Sequence, residues 1–433
     1  MDGEQDVTRR DFLKSAAATA GAWALAPVGS PAMLANPSPG DVVRYGMIGT
    51  GTHGCTLLRF LATIPEGRCV ATCDVYPPNL KKGIETIGSN PQPYDDYRKL
   101  LERKDIDAVL ISTPLNLHAP MTLAALDAGK HVFVEESMFF QEAEGEQIRK
   151  ATEAHPRQVL QVGLQRRSSA LYRVAMQMVR KGAIGRALLV RTQWNLNNSW
   201  RRPVPDAKDE RLINWRLYRE YSGGLMAELA SHQIDVANWA IGAEPLSVVA
   251  TGGIDVWKDG RETGDNAQAI FEYPGGEKLM LTALLFNSHF GFDEQILGDQ
   301  GTIVITLGKG LYFHEKVPKV TTGFLKESWR AGATVVAADT LKGVPIFPER
   351  VSDSDPFLDR EVKYAKRWLA SMGIYEYEEL HDPWYSEMAN FFASIREGKP
   401  VAASLDLGIS AARGVIYANR AIHTGQKVLW PKG

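Results

Sequence analysis

At 433 residues the chain exceeds what one ordinary core fills, so two domains are expected. With 44% hydrophobic and 23% charged residues, its composition is that of a globular protein rather than a disordered or fibrous one. A net charge of −2 argues against nucleic acid or an anionic membrane as the main partner, since either rewards a basic surface, and leaves a small molecule of low charge.

Thr8, Arg9, Arg10, Asp11, Phe12, Leu13 and Lys14 form a twin-arginine pattern. A weakly apolar, alanine-rich stretch over residues 15–28 and small residues near Ala32 or Ala35 follow. The apolar run is too short to span a bilayer stably, so residues 1–35 are expected to be a cleavable signal. It would export the protein already folded, to the periplasm or beyond, with no membrane contact after removal. Folding in a reducing compartment also fits the cysteines, Cys55, Cys69 and Cys73. Cys69 and Cys73 lie four positions apart in an expected strand. That separation is about 13 Å, beyond the ~7 Å a disulfide tolerates. All three are read as buried thiols, and no Cys or His spacing suits a metal, so none is expected.

Residues 41–165 carry the pattern of a Rossmann domain, a doubly wound parallel sheet that binds a dinucleotide. A strand over residues 42–48 leads into Gly49-Thr50-Gly51-Thr52-His53-Gly54 and an apolar helix over residues 55–61. In that strand–turn–helix context the first glycine permits the tight turn, and the second lets backbone approach a pyrophosphate. The third lets the helix pack closely, with its N-terminus facing the phosphates. A second strand, residues 68–73, ends at Asp74, whose carboxylate suits ribose hydroxyls and repels a 2′-phosphate, so NAD is favoured over NADP. A third apolar run, residues 107–112, ends in Thr113, Pro114, Asn116 and His118, at the strand end where such sheets bind ligands. A helix over residues 119–128 and a strand over residues 129–136 follow, the latter ending in Glu135 and Glu136. The expected cofactor residues are Gly49, Gly51, Thr52, His53, Gly54, Asp74, Thr113, Pro114, Asn116, His118 and Glu135.

Several ordered motifs resemble the Gfo/Idh/MocA family, the glucose–fructose oxidoreductase and inositol dehydrogenase type. After the glycine loop come YDDYRKLLERKDIDAVLISTP, LHAPMTLAALDAGKHVFVEE, GGLMAELASHQIDVANWAIG and FFASIREGKPVAASLDLG…TGQKV. The resemblance covers nearly all of the chain after the signal. It implies an NAD-dependent oxidoreductase acting on a sugar, assembled as a dimer or tetramer through a sheet face. It also implies Glu-Lys-Pro after the Gly-Lys-His-Val strand, with the lysine helping to move the substrate's proton. Here Glu135-Glu136-Ser137 stands instead, so Glu136 replaces that lysine and inverts the local charge.

Where the family carries Asp-x-x-x-His, this chain has Glu228 and His232. On a continuous helix Glu228, His232, Asp235 and Trp239 would fall within roughly 60° of one another. That stripe is either a solvated face or a wall of functional groups. Leu225, Leu229 and Val236 beside it favour a cleft wall. His232 is expected as the base that removes a hydroxyl proton, with Glu228 and Glu136 orienting it or sharing the proton. For the sugar, tryptophan faces and amide or guanidinium groups single out Trp194, Asn198, Trp200 and Arg201, with Asp235 from the stripe. Arg166 and Arg167 are read as support for the cofactor or the domain junction.

From residue 166 onward the pattern changes to an α+β domain with a large open, mostly antiparallel sheet. Strands are expected over residues 187–193, 246–252, 267–273, 279–285 and 301–306, with a decorating segment over about residues 331–375. C-terminal helices over about residues 382–425 are expected to pack back on the first domain. An exported enzyme meets no free cofactor pool, so NAD should be loaded before export and tightly held. Three functions stay open: a dehydrogenase for a sugar or glycoside hydroxyl, where the stretch NNSWRRP…NWRLYREYSGGLMAELASHQID resembles secreted glycoside 3-dehydrogenases and that resemblance implies oxidation at C3; an NAD-dependent glycoside hydrolase working through transient C3 oxidation and elimination; and a non-catalytic sugar or cofactor sensor.

Overall fold

The structure is a computed structural model that describes residues 42–315, 343–347 and 356–431. The twin-arginine segment and part of the decorating segment, residues 331–342 and 348–355, lie outside the described residues.

Two sheets organise the chain. The first is parallel, from β1 (Val43–Ile48), β2 (Gly67–Cys73), β3 (Gln92–Tyr94), β4 (Ala108–Ile111), β5 (His131–Glu135) and β6 (Leu160–Gly163), in the order β3-β2-β1-β4-β5-β6. Helices α1 (Thr52–Leu61), α2 (Pro77–Ile87), α3 (Tyr97–Leu101), α4 (His118–Asp127) and α5 (Glu142–Ala154) connect them. β4 reads as an unbroken apolar run because both sheet faces are covered, and all four of its residues are buried. The strand order reverses between β2-β1 and β4-β5, and Ile48 pairs in register with both Cys73 and Ile111. The loops after β1, β2 and β4 therefore open at one level, the switch point where such sheets bind ligands. Cys69 and Cys73 both lie in β2, and all three cysteines are buried and free.

The second sheet holds nine strands: β7 (Ala187–Asn195), β8 (Ser247–Gly253), β9 (Asn266–Glu272), β10 (Lys278–Leu284), β11 (Phe292–Gly298), β12 (Gly301–Thr306), β13 (Lys309–His314), β14 (Val344–Phe347) and β15 (Val428–Leu429). β7 and β10 run parallel and the other pairings are antiparallel. Alternate residues face inward, as period-2 patterning requires: Phe271, Leu279, Leu281, Ile303 and Ile305 join one core with α6 (Ala170–Arg180) and α7 (Ser231–Ile241). Helix α8 (Pro356–Ser371) lies beside β14. Helix α9 (Pro383–Glu397) returns to the first domain, where Met388, Phe391 and Phe392 pack with Tyr45, Leu57 and Phe133. Helix α10 (Leu405–Thr424) packs against both domains: Ala412 belongs to the first domain's core and Ala418 to the second's.

Among the described residues no helix is long and apolar enough to cross a membrane, and no cluster of three or more His, Cys, Asp or Glu could hold a metal.

Candidate active site

A cavity of about 1100 Å³ lies over the carboxyl ends of β1, β2, β4 and β5. That exceeds the ~300–1,000 Å³ of an ordinary small-ligand site and leaves room for a dinucleotide with a second ligand. All eleven residues expected to meet the cofactor line it.

The glycine loop fits a dinucleotide. Gly49 has φ +90°, and a Cβ there would stand 2.2 Å from the Ser112 carbonyl. A Cβ on Gly54 would stand 2.0 Å from the Gly49 carbonyl, so α1 approaches the turn more closely than any side chain allows. A Cβ on Gly51 would meet only Asn79, at 3.8 Å, which leaves that stretch of backbone open to a pyrophosphate. Asp74 is held by the backbone N–H groups of Thr50 and Tyr76, each donating at 2.8 Å. Burial pushes its carboxyl up from the ordinary range while these donors oppose the shift. His118 fastens the loops after β4 and β5: Nδ1 lies 2.8 Å from the Ser137 carbonyl and Nε2 lies 2.9 Å from that of Thr113.

The proton-handling groups converge from both domains. His232 Nε2 stands 2.8 Å from Glu136 Oε1, and Nδ1 of the same ring is buried without a partner. Burial, then the Glu135 and Glu228 carboxylates, pushes the Glu136 carboxyl well above the usual range. Burial, with Arg166 and His53 adding to it, holds the His232 imidazole well below its ordinary value. His53 Nε2 stands 2.8 Å from Glu135 Oε1. Burial acts against both charges there, but mutual attraction prevails, so His53 is raised and Glu135 lowered.

Glu228 is placed differently from the sequence expectation. Residues Met226–Ala230 form a π-helical turn ahead of α7, so the helix is not the continuous one that the stripe assumed. Glu228 lines the cavity, but its carboxylate accepts from Arg216 Nε at 2.6 Å and Ser222 Oγ at 2.8 Å. It is Glu136, not Glu228, that contacts His232.

Four of the five expected sugar contacts need correction. Trp194 lines the cavity with its ring 6.2 Å from that of His232. Behind it the Arg166 guanidinium stacks at 5.4 Å and pairs with buried Glu294. Asp235 is instead buried in an ion pair with Arg167, whose Nε and Nη2 donate at 2.6–3.0 Å. Trp239 flanks that pair, with the Arg167 guanidinium 4.7 Å above its ring. Arg201 is taken up by Asp259 and Glu210. Asn198 caps the backbone N–H of Trp200, and Trp200, at φ +61°, packs against the second core. None of these four reaches the cavity wall.

Residues outside the expected site add to the wall, among them Arg202, Trp215, Arg216 and Tyr221 from the segment before the π-turn, and Trp384 from α9. The run of arginines and aromatics over residues 201–221 was the available clue.

Residues 43–164 match the family model of an oxidoreductase family with an NAD-binding Rossmann fold, and residues 172–304 match that of the GFO/IDH/MocA C-terminal domain. The chain is 30% identical over 267 residues to the uncharacterized oxidoreductase YrbE of Bacillus subtilis, covering 59% of this chain and 72% of the relative. It is 26% identical over 268 residues to the myo-inositol 2-dehydrogenase of Thermotoga maritima, covering 60% and 74%. Among solved structures, levoglucosan dehydrogenase in complex with NADH and levoglucosan superposes with a TM-score of 0.68 at 20% identity, over 90% of this chain and 100% of that one. The scyllo-inositol dehydrogenase of Lactobacillus casei with NAD(H) and scyllo-inositol gives 0.62 at 21% identity, over 90% and 99%. At those identities the structural likeness is one of fold.

Proposed function

This chain belongs to the Gfo/Idh/MocA family of oxidoreductases with an NAD-binding Rossmann domain, and on that footing we propose that it oxidises a ring hydroxyl of a sugar or glycoside, at C3, using tightly held NAD. The contact between His232 and Glu136 within the dinucleotide cavity, beside the Trp194 ring, is the observation that carries this reading. Bound NAD supplies the acceptor for the hydride. The chain's own residues hold, orient and deprotonate.

The open backbone at Gly51 and the N-terminus of α1 would hold the pyrophosphate, and Asp74 the ribose hydroxyls. Trp194 offers an apolar face for a sugar ring, and Arg202, Asn116 and Tyr221 offer polar groups for its hydroxyls. His232, kept neutral by burial and by Arg166, is a base for the hydroxyl proton. Supporting a sugar or polyol as substrate, the Thermotoga maritima relative and the two solved structures named above are dehydrogenases of inositols or levoglucosan by name.

Two further elements belong to the proposal. Arg9 and Arg10 in their twin-arginine setting support export of the folded, cofactor-loaded protein. Val249, Ile270 and Met280, register neighbours across β8, β9 and β10, are all exposed on the outer sheet face and support a homo-oligomer.

The test is product analysis on purified protein with a panel of free sugars, polyols and glycosides. A keto sugar with reduced cofactor supports the proposal. Release of the aglycone with no net cofactor change points to the hydrolase, and binding without product points to a sensor.

A further inference from the structure

Four titratable side chains stand in single file through the cavity. His53 Nε2 lies 2.8 Å from Glu135 Oε1, and Glu136 follows Glu135 in the chain, so that the Glu135 carboxylate bears directly on the Glu136 carboxyl. Glu136 Oε1 lies 2.8 Å from His232 Nε2. The surroundings change along the file. The side chain of His53 is 34% exposed, edge-on to Trp384, whereas that of His232 is 5% exposed.

We propose that His232, Glu136, Glu135 and His53 form a proton relay that carries the proton of the oxidised hydroxyl from His232 to the solvent side of the His53 ring. This deepens the sugar-oxidation reading and rests on it. The relay takes over a task for which this chain has no lysine. His53, inside the glycine loop, thereby acquires a role beyond shaping the turn.

The proton count closes. At rest His53 is a cation, Glu135 an anion, and Glu136 and His232 are neutral, with the Glu136 proton directed at Glu135 and the His232 proton on the buried Nδ1. Nε2 of His232, the nitrogen 2.8 Å from Glu136 Oε1, then carries the free lone pair. The substrate's O–H bond breaks and Nε2 takes the proton, while both electrons of the C–H bond would leave with the hydride, for which bound NAD would be the acceptor. The Nε2 proton passes to Glu136, the former Glu136 proton passes to Glu135, and His53 releases one proton to water. Glu136 receives one proton and passes one on, Glu135 keeps the one it receives, all four groups end neutral, and the file's net charge is zero before and after.

The directions in which these groups are shifted agree with that resting state: His53 up, Glu135 down, Glu136 up and His232 down. Other charged groups face the file. His118 and Glu387 bear on Glu135, Glu228 bears on Glu136 and His53, Arg216 on His53, and Arg166 on His232.

Two measurements on the NAD-loaded protein test the relay. In the first, both rings are followed by NMR through a pH titration, without sugar. The relay predicts linked, two-step curves for His53 and His232 that become two independent curves in Glu135→Gln. Independent curves in the unaltered protein overturn it. In the second, His53→Ala at saturating NAD should lower sugar oxidation by about 10²-fold, the lower end for a positioned acid or base, with added imidazole restoring turnover. Full activity in His53→Ala, or no recovery with imidazole, also overturns the relay. Should linked titration appear in a protein that oxidises no sugar, the relay stands and the proposed reaction falls.

Discussion

Nε2 of His232 stands 2.8 Å from Oε1 of Glu136, so a helix of the second domain meets the loop that follows β5 of the first. The family resemblance places a lysine at position 136. A carboxyl there, neutral because burial and the Glu135 and Glu228 carboxylates oppose its charge, can both accept from the imidazole and pass a proton on.

Glu136→Gln keeps the shape and one acceptor while removing the exchangeable proton, and turnover should fall by less than the loss caused by removing His232. Glu136→Lys, although it restores the family pattern, should also lower kcat because an ammonium would face the imidazole. Steady-state rates of both variants check this. A faster Glu136→Lys enzyme contradicts the assigned role.

Asp74→Ala should weaken NAD binding by about 1.5–3 kcal/mol, the worth of a charge-assisted hydrogen bond, and narrow discrimination against NADP. Part of the loss comes from the loop, since Asp74 also accepts from the Thr50 and Tyr76 backbone. Calorimetric titration with both cofactors measures it. Unchanged affinities would remove Asp74 from the site.

Arg167→Ala should destabilise the fold by about 3–5 kcal/mol, because it leaves the Asp235 carboxylate buried and unpaired. KM for the sugar should stay within a few-fold at a temperature where the variant is folded. Thermal unfolding combined with kinetics separates the two. A large rise in KM with little loss of stability would return Asp235 to the sugar site.

Much of the first domain was legible because its constraints are local. A turn at φ +90° and a helix packed at 2.0 Å admit glycine alone, so Gly49 and Gly54 announce themselves in the sequence. Strands β8, β9, β10 and β12 showed their period-2 alternation. Strand β11 did not, because its inward face carries Glu294, a buried charge matched by Arg166 from 128 positions away. The sugar contacts misled for the same reason. Whether an arginine or aspartate faces a ligand or a partner depends on pairings such as Arg167 with Asp235 and Arg201 with Asp259, which span 68 and 58 positions and leave no periodic trace. The contact of Glu136 with His232 crosses the two domains and is equally invisible to spacing.

Glu387, on α9, is fully buried with one carboxyl oxygen unpartnered, and burial followed by the Glu135 charge pushes its carboxyl well above the usual range. A carboxyl raised in the folded state binds its proton more tightly there than in the unfolded chain, so stability is retained below the unfolded value and lost as pH rises towards the folded one. Glu387→Gln removes that penalty. Its melting temperature relative to the unaltered protein should therefore climb from about pH 4.5 upward, each tenfold separation of the two ionisation constants being worth about 1.4 kcal/mol. A difference that does not vary with pH contradicts the assignment.

The most direct test of the central claim is a single turnover. NAD-loaded protein is mixed with a sugar or glycoside that it oxidises, and nicotinamide reduction is followed by absorbance in the unaltered protein and in His232→Ala. The account predicts reduction in the first and a rate about 10²–10⁴-fold lower in the second, the range for a positioned base. An undiminished rate in His232→Ala would contradict it.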